Sequence, residues 1–462
     1  MKATTVKSAT VFSAADRMDA PFYLNDAVAY YAGLEKCPYG LTTVGESSKD
    51  VFFGNIFSRC FVKDADHGVP YLRASEIQKA DLNGGGLFLS KKQASQLDYL
   101  RLKRDWILVT CSGTLGKCVY ADARYEQFIG THDLIRIVPG GGNVLPGVLY
   151  SFLASRFGFA TLTHSQYGSV ILHTNPEQVR SIKLPVFPKA LQRKVHEKIM
   201  ESARLREEAD AALKKAVRLF EQETLLQGYP QGCIISRIKH SRMVSNASRL
   251  DAKCQLGVHD LDDKICGIGF ARTRVSDVCK DIFIAQRGRR VYIKKGIPFL
   301  STAEMGLFNP RRHADSISLF TPGIREMIVR EDDILVSCDG TTGRAVIVGH
   351  DMAGMAVSHG ALRVLVDPTK ISPNYVFCFL RSSYARSYME VSSYGSVIQH
   401  INDKIVGAMT MPVLKGKVYD AIVSGICEYK EKLATAADFE NEAIDMVERE
   451  IESWQEEDYV RR

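Results

Sequence analysis

THDLIRIVP at 131–139 and SHGALRVLV at 358–366 open two stretches of this chain that run in parallel. One constant offset carries Thr131 through Val186 onto Ser358 through Val413 without a gap. His132 falls on His359, Arg136 on Arg363, Pro146 on Pro373, His173 on His400, Asn175 on Asn402 and Pro185 on Pro412, and the run YGSVI occurs at both 167–171 and 394–398. A single period near half the length of a 462-residue chain signals two copies of one domain, not a solenoid of short repeats. The sequence therefore predicts a pseudo-symmetric molecule.

The correspondence continues upstream with drifting offsets, as it does when surface loops differ in length between copies. ILVTCSGTLGK at 107–117 matches ILVSCDGTTGR at 334–344, and GVPYL at 68–72 matches GIPFL at 296–300, with Glu76 on Glu304. Lys49-Asp-Val-Phe pairs with Lys280-Asp-Ile-Phe, and Arg17-Met-Asp-Ala20 with Arg249-Leu-Asp-Ala252. Between these landmarks, from Lys79 to Arg104 and from Gly306 to Arg330, the copies share little. One scaffold carries two different variable surfaces.

A hydrophobic content of 45% over 462 residues is enough to bury at least two cores of ordinary domain size. The eleven cysteines are scattered, with no C-x-x-C pair and no His/Cys cluster at zinc spacing, which reads as reduced thiols in a cytosolic protein. No signal peptide opens the chain, and no apolar run approaches the roughly 18–20 residues needed to cross a bilayer. The expectation is a soluble, cytoplasmic protein. Charge is segregated: residues 1–190 carry 21 Lys+Arg against 16 Asp+Glu, 229–415 carry 25 against 17, and 416–462 carry 6 against 13. Two basic copies and an acidic tail suit domains that meet phosphate and a tail that does not.

Each copy ends in a predicted long helix. Leu191–Gln227 contains neither proline nor glycine, is punctuated by Pro188 and Gly228, and places Val195, Ile199, Ala209, Leu213, Ala216 and Phe220 on a seam broken at Arg206. Lys417–Trp454 repeats the seam with Val418, Ile422, Ile426, Tyr429, Leu433, Ala436, Ala443, Val447 and Ile451. At about 1.5 Å per residue such helices extend on the order of 50 Å. Neither is expected to bury its whole seam on its own domain, so the two are predicted to pair as an antiparallel coiled coil.

Within a copy, the sequences at 107–121 and 334–348 read as strand, glycine turn and strand, LIRIVP and ALRVLVDP as a further strand each, and the stretches after Pro146 and Pro373 as helices. Mixed α/β domains follow. The Gly-Thr-x-Gly-Lys/Arg turn reads equally as a set of backbone N–H groups offered to phosphate or as a hairpin turn needing glycine for positive φ. A P-loop is excluded, because it requires Gly at 111 and Ser or Thr at 118, where the chain has Cys111 and Cys118. No dinucleotide fingerprint between strand and helix, no G-x-S-x-G elbow, no H-E-x-x-H pair and no amino-methyltransferase tetrapeptide (D/N-P-P-Y/F) is found. No catalytic residue, metal site or cofactor is expected in this chain.

Taken in order, the R-x-D-A starts, the G-x-P-[YF]-L segments, the ILV-[TS]-C-x-G-T-x-G-[KR] turns, the YGSVI stretches leading to L/M-P-V and the long helix after each resemble the specificity (S) subunit of type I restriction-modification systems. The resemblance spans about Arg17 to Trp454. Two departures stand out: Leu191-Gln192, which opens the first helix in the family's manner, has no counterpart at Lys415-Gly416-Lys417, and the Pro21-Phe22-Tyr23 that follows the first R-x-D-A is replaced by Lys253-Cys254-Gln255. The resemblance implies two pseudo-symmetric α/β target-recognition domains, 1–190 and 229–415, separated by spacer helices at 191–228 and 416–462, the latter including the acidic tail. It implies that each domain reads one half of a bipartite site in double-stranded DNA while the helices set the spacing. Half-sites reached from one face of the duplex lie about 34 Å apart. It further implies two methyltransferase subunits and translocase-nuclease subunits as partners, with S-adenosylmethionine and ATP bound by those partners. An S-like scaffold or adaptor without sequence reading is the alternative.

Readers of base edges are sought among Arg, Lys, Asn and Gln on the variable loops, since Arg pairs bidentately with guanine and Asn or Gln with adenine. Candidates in the first copy are Arg59, Arg73, Lys91, Lys92, Arg101, Lys103, Arg104, Lys117, Gln166 and Tyr167; in the second they are Gln286, Arg287, Arg289, Arg290, Lys294, Lys295, Arg311, Arg312, Arg344 and Tyr394. Arg287-Gly-Arg-Arg290 is the foremost cluster. The Tyr-Gly-Ser runs read equally as phosphate contacts through hydroxyls or as packed turns. His132 and His359 are expected to be hydrogen-bonded structural histidines, and Cys111 and Cys338 to be buried packing residues.

Overall fold

The computed structural model describes residues 20–24, 26–34, 36–82, 86–164, 172–226 and 251–460. The 167–171 run with Gln166 and Tyr167, and the starts at Arg17 and Arg249, lie outside these residues. The chain divides into two compact units, one made of residues up to Glu207 together with those from Ala436 onward, the other of Glu208–Thr435. The division falls within both long helices, so each unit holds a segment of each.

In the first unit an antiparallel four-stranded sheet runs in the order Ser48–Phe52, Leu134–Pro139, Ile107–Thr110, Cys118–Tyr120. Its central strand is rich in β-branched residues and buried throughout, which is why the sequence there is an unbroken apolar run and not an alternation. A second sheet orders Phe61–Val62, Phe88–Ser90, Gly68–Leu72 and Ile129–Gly130, the last pair being parallel. Leu41–Thr43 pairs with Lys183–Pro185. The second unit repeats the plan: Cys279–Ile284, Ala361–Val366, Ile334–Ser337, Ala345–Ile347 form the four-stranded sheet in the equivalent order. Asp315–Ile317, Tyr292–Leu300 and Ala356–Val357 form a three-stranded sheet, and Ala271–Arg274 pairs with Thr410–Val413. The mixed α/β class predicted from the sequence holds in both units.

Helices start where the sequence allows the chain to turn into them. Pro146 and Pro373 occupy the first turns of Pro146–Ala154 and Pro373–Arg381, where the missing N–H costs nothing. Asn175 and Asn402, which coincide under the constant offset, accept the N–H groups of Gln178 (2.9 Å) and Ile405 (3.0 Å) and cap short helices at equivalent places in the two copies. Asp251, the acidic residue of the second R-x-D-A, accepts the Cys254 N–H at 3.0 Å and caps Ala252–Cys266.

The glycine turn resolves as a hairpin device. Gly113 and Gly116 have φ of 71° and 76°, and Gly340 and Gly343 have 73° and 81°, a region that only glycine enters cheaply. The Gly116 N–H donates to the Thr110 carbonyl and the Lys117 N–H to Thr110 Oγ1, both at 3.1 Å. In the second copy the Gly343 N–H donates to the Ser337 carbonyl (2.8 Å) and the Arg344 N–H to Ser337 Oγ (2.9 Å). Gly113 and Gly340 donate to Leu172 and Gln399 carbonyls. These N–H groups are committed internally, so the turn does not present them to phosphate.

The long helices span Lys189–Thr224 and Lys417–Val460. Within the first unit their segments run antiparallel: Ser202 Oγ donates to the Ala436 carbonyl at 2.7 Å, and Lys198 pairs with Glu442. Within the second unit Lys432 pairs with Glu208 at 2.8 Å, and Ala216 faces Gly425 so closely that a Cβ on the glycine would sit 3.2 Å from the alanine methyl. The seams do more than meet each other. Val195, Ile199, Ala203, Val447 and Ile451 belong to the core that holds Ile107, Val109 and Phe152, and Leu213, Phe220, Ile422 and Ile426 to the core that holds Ile334, Val336 and Tyr375. Each unit's sheet is closed by a segment of both helices.

Two sequence irregularities in the helices have structural causes. Gln192 donates to the Asn143 and Phe187 carbonyls (2.9 and 2.8 Å) and accepts the Leu145 N–H (3.0 Å), tying the helix start to the domain. At the equivalent position in the second copy, Tyr419 accepts the Ser372 N–H at 3.0 Å, so a phenol does the work of the missing glutamine. Arg206, which breaks the first seam, is fully buried, 3.7 Å from Asp122 and 3.8 Å from Glu440, and donates to the Tyr120 carbonyl at 3.3 Å. Asp122 is also held bidentately by Arg124 and Glu440 by the Tyr150 hydroxyl. Burial opposes ionisation of Asp122, but the Arg124 and Arg206 charges prevail and hold its carboxyl below the usual range.

Candidate nucleic-acid interface

Both units contain a fully buried arginine on the strand that leads away from the histidine. Arg136 donates through Nη2 to the carbonyls of Leu100 (3.2 Å), Gly130 (2.9 Å) and Thr131 (3.2 Å), and through Nη1 to that of Leu134 (2.8 Å). Arg363 donates through Nη2 to Met327 (2.9 Å) and Val357 (2.8 Å), through Nη1 to Ala361 (3.2 Å) and through Nε to Glu326 (3.1 Å). Leu134 and Ala361, Leu100 and Met327, and Gly130 and Val357 coincide under the same constant offset, so equivalent carbonyls are gripped twice. Burial pulls both guanidinium groups down to about 10, still charged at neutral pH. This grip fixes the backbone that leads into His132 and His359.

On that backbone each histidine meets an arginine from a variable loop. Arg59 Nη2 donates to His132 Nδ1 at 3.2 Å, while its Nε donates to the Tyr71 hydroxyl at 2.8 Å and its guanidinium lies 5.7 Å and 5.8 Å from the Phe57 and Tyr71 ring centres. Arg290 Nη2 donates to His359 Nδ1 at 3.4 Å and lies 4.7 Å over Phe299. An Nδ1 that accepts puts the imidazole proton on Nε2, and His132 Nε2 lies 3.3 Å from Asp133. Burial, joined by Arg59 and Arg136 against Asp133, depresses His132; burial, joined by Arg290 and Arg287 against Asp339, depresses His359. Both are neutral near pH 7.

The folded state thus binds fewer protons at these histidines than the unfolded chain, whose histidines titrate near 6.5. Their contribution to stability is complete above about pH 6.5 and is lost as pH falls through the depressed folded values. Melting temperature is expected to fall as pH drops below about 6.5, and the double variant His132→Asn/His359→Asn to lose part of that dependence in a pH series of thermal melts. An unchanged slope would remove the histidines from the account.

The remaining candidates separate into engaged and free groups. Arg73 is locked on the buried Glu76 (2.8 Å), which raises its pKa, and closes a 3₁₀ turn. Arg101 pairs with Asp98 (2.8 Å) and Arg104 with Glu207 (3.2 Å); Lys103 lies 5.6 Å over Trp106. Lys91 and Lys92 are exposed in the first turn of Lys91–Gln96, while Lys117 and Arg344 are half-buried beside their turns. In the second unit Arg311 donates to the Asp351 carbonyl (3.1 Å), Arg312 is half-buried in the same 3₁₀ turn, and Lys294 and Lys295 are exposed on the Tyr292–Leu300 strand. Tyr394 is exposed and lies 5.8 Å from the His400 ring. Gln286 is exposed and its N–H is accepted by Glu326 at 3.0 Å. Arg287 and Arg289 are exposed, and among the described residues neither makes a hydrogen bond or ion pair.

Beside Arg287 and Arg289 lies an apolar surface that the sequence does not announce. The Ser318 N–H donates to the Val291 carbonyl at 2.8 Å, bringing Leu319 and Phe320 to the same loop region, with Phe320 93% exposed. In the first unit Ile56, 86% exposed, stands close to Arg59 in the same loop. Cys111 and Cys338 are buried, and burial pushes both thiols up to about 12, in keeping with packing roles. Among the described residues no group of three His, Cys, Asp or Glu side chains is arranged to hold a metal ion, and no helix is long and apolar enough to cross a membrane.

No family model and no curated protein matches the chain. Among solved structures it is similar to a type I restriction-modification S subunit from M. genitalium, 12% identical over 89% of this chain and 96% of that one, with a TM-score of 0.37. It is also similar to the HsdS subunit from Thermoanaerobacter tengcongensis, 14% identical over 90% and 97%, with a TM-score of 0.28.

Proposed function

We propose that this chain is the sequence-reading subunit of a type I restriction-modification complex. Each unit reads one half of a bipartite site in double-stranded DNA, and the chain directs adenine methyltransferase subunits, and translocase-nuclease subunits where present, to that site. S-adenosylmethionine and ATP are used by those partners. The observation that carries the reading is one scaffold built twice with different basic loops: where the first copy has Asn55-Ile-Phe-Ser-Arg59, the second has Gln286-Arg-Gly-Arg-Arg290. A scaffold that only held subunits together has no use for two divergent cationic surfaces on one frame. The order of sequence motifs, which resembles that of the S-subunit family, supports the same reading.

Long-read mapping of N6-methyladenine in the host genome, with and without this gene, tests it. The expected result is a bipartite motif, two short specified blocks around an unspecified spacer, that is methylated only when the gene is present. A methylome unchanged by deletion would favour an S-like adaptor that reads no sequence.

A further inference from the structure

Arg59 and Arg290 stand at equivalent positions. The frame that lays Lys49-Asp-Val-Phe on Lys280-Asp-Ile-Phe continues without a gap and reaches these two arginines together. Of the four residues just before them, none is shared: Asn55, Ile56, Phe57 and Ser58 face Gln286, Arg287, Gly288 and Arg289. The arginine alone is kept, and so are its supports, His132 with His359 and Tyr71 with Phe299.

The supports preorganise the cation without neutralising it. The imidazole accepts one Nη2 hydrogen in each copy, and an aromatic ring lies beneath the guanidinium. Among the described residues no carboxylate lies within ion-pair distance of either arginine, and nothing takes a hydrogen bond from Nη1. By contrast Arg73, Arg101 and Arg104 each have an acidic partner. In Arg59 the Nε serves Tyr71 and the Nη2 serves His132 and Thr131, which leaves the two Nη1 hydrogens; in Arg290 only Nη2 is engaged among the described residues, which leaves Nε and Nη1. Each arginine is thus held in place with donors to spare for an anion from outside, such as a phosphate oxygen.

Which part of a duplex it meets follows from the duplication. Two halves of an asymmetric site differ in sequence, so a residue that is the same in both domains has nothing to discriminate, whereas the sugar-phosphate backbone is the same everywhere. We infer that Arg59–His132 and Arg290–His359 are two equivalent clamps for a DNA phosphodiester, one in each domain, and that sequence is read by the neighbours that differ. The inference rests on the proposed function. His132 and His359 are positioning residues in it.

The test uses the full chain and a labelled pool of duplexes with a randomised centre, reading affinity, its salt dependence and the enriched motif. Arg59→Gln and Arg290→Gln are each expected to weaken binding about tenfold, to lower the slope of log affinity against log salt by about 0.9, and to leave the enriched motif unchanged. Arg59→Lys keeps the slope but loses affinity, since an ammonium cannot be held by both imidazole and phosphate in the same geometry. His132→Ala weakens binding and His132→Asn, which restores an acceptor, recovers part of it. A changed motif with an unchanged salt slope would make these arginines base readers and overturn the inference, as would variants that bind like the parent. A parent chain that retains no duplex at all would instead overturn the functional reading, and the inference with it.

Discussion

Arg136→Leu and Arg363→Leu are expected to be among the most damaging single substitutions in this chain, each lowering stability by about 3 kcal/mol or more. Each arginine serves four backbone carbonyls and no carboxylate. Leucine fills much of the volume but strands those oxygens away from water, and a buried acceptor left unmade costs about 1–3 kcal/mol. Some of the four will find other donors, which is why the total is set below their sum. Lysine will not rescue, because a single ammonium cannot span carbonyls contributed by separate segments as a planar fork does. Thermal melts give the magnitude, and amide exchange gives the place: protection should be lost around Ile129–Thr131 in one variant and Ala356–Val357 in the other. A variant that melts with the parent would show that the carbonyls are satisfied without the guanidinium.

These arginines mark the boundary of what the sequence discloses. Their coincidence under the offset that relates the copies is plain in the chain, but their role is not, because their partners are backbone carbonyls and every residue has one. The elements themselves were legible, since strands such as Ile107–Thr110 and helices opening at Pro146 and Pro373 are written in apolar runs and proline placement. The helical seams were legible too, including the break at Arg206, whose cause lies in Asp122 and Glu440, far from it in sequence. Among the candidate readers, Arg73 and Arg101 are instead held by carboxylates three residues away in sequence, Glu76 and Asp98. The pairing of Arg59 with His132 and of Arg290 with His359 is not legible in the sequence, because it joins a variable loop to a repeated strand with different offsets. Gln166 and Tyr167 lie outside the described residues.

Under the proposed function, Arg287→Ala/Arg289→Ala is expected to relax sequence selection at one half-site while sparing the other. The two side chains are exposed, carry no hydrogen bond or ion pair among the described residues, and have Ile56 and Ser58 as counterparts in the first copy. Each is thus a cation that one domain has and the other lacks, which is what discrimination between unlike half-sites requires. Arginine set bidentately on a guanine edge discriminates by about 1–3 kcal/mol, so a motif position read by one of them should loosen by about 5- to 150-fold. Exposed Phe320 beside them offers an apolar face for a base or thymine methyl, so Phe320→Ala should broaden the same half-site and not the distant one. Methylome mapping in a strain carrying the double variant reads both halves at once. One degenerate block beside one intact block is the expected pattern. Uniform loss of methylation with both blocks intact would mean that Arg287 and Arg289 hold the backbone, and the readers of that half-site would then have to be sought on the Tyr292–Leu300 strand, where Lys294 and Lys295 stand exposed.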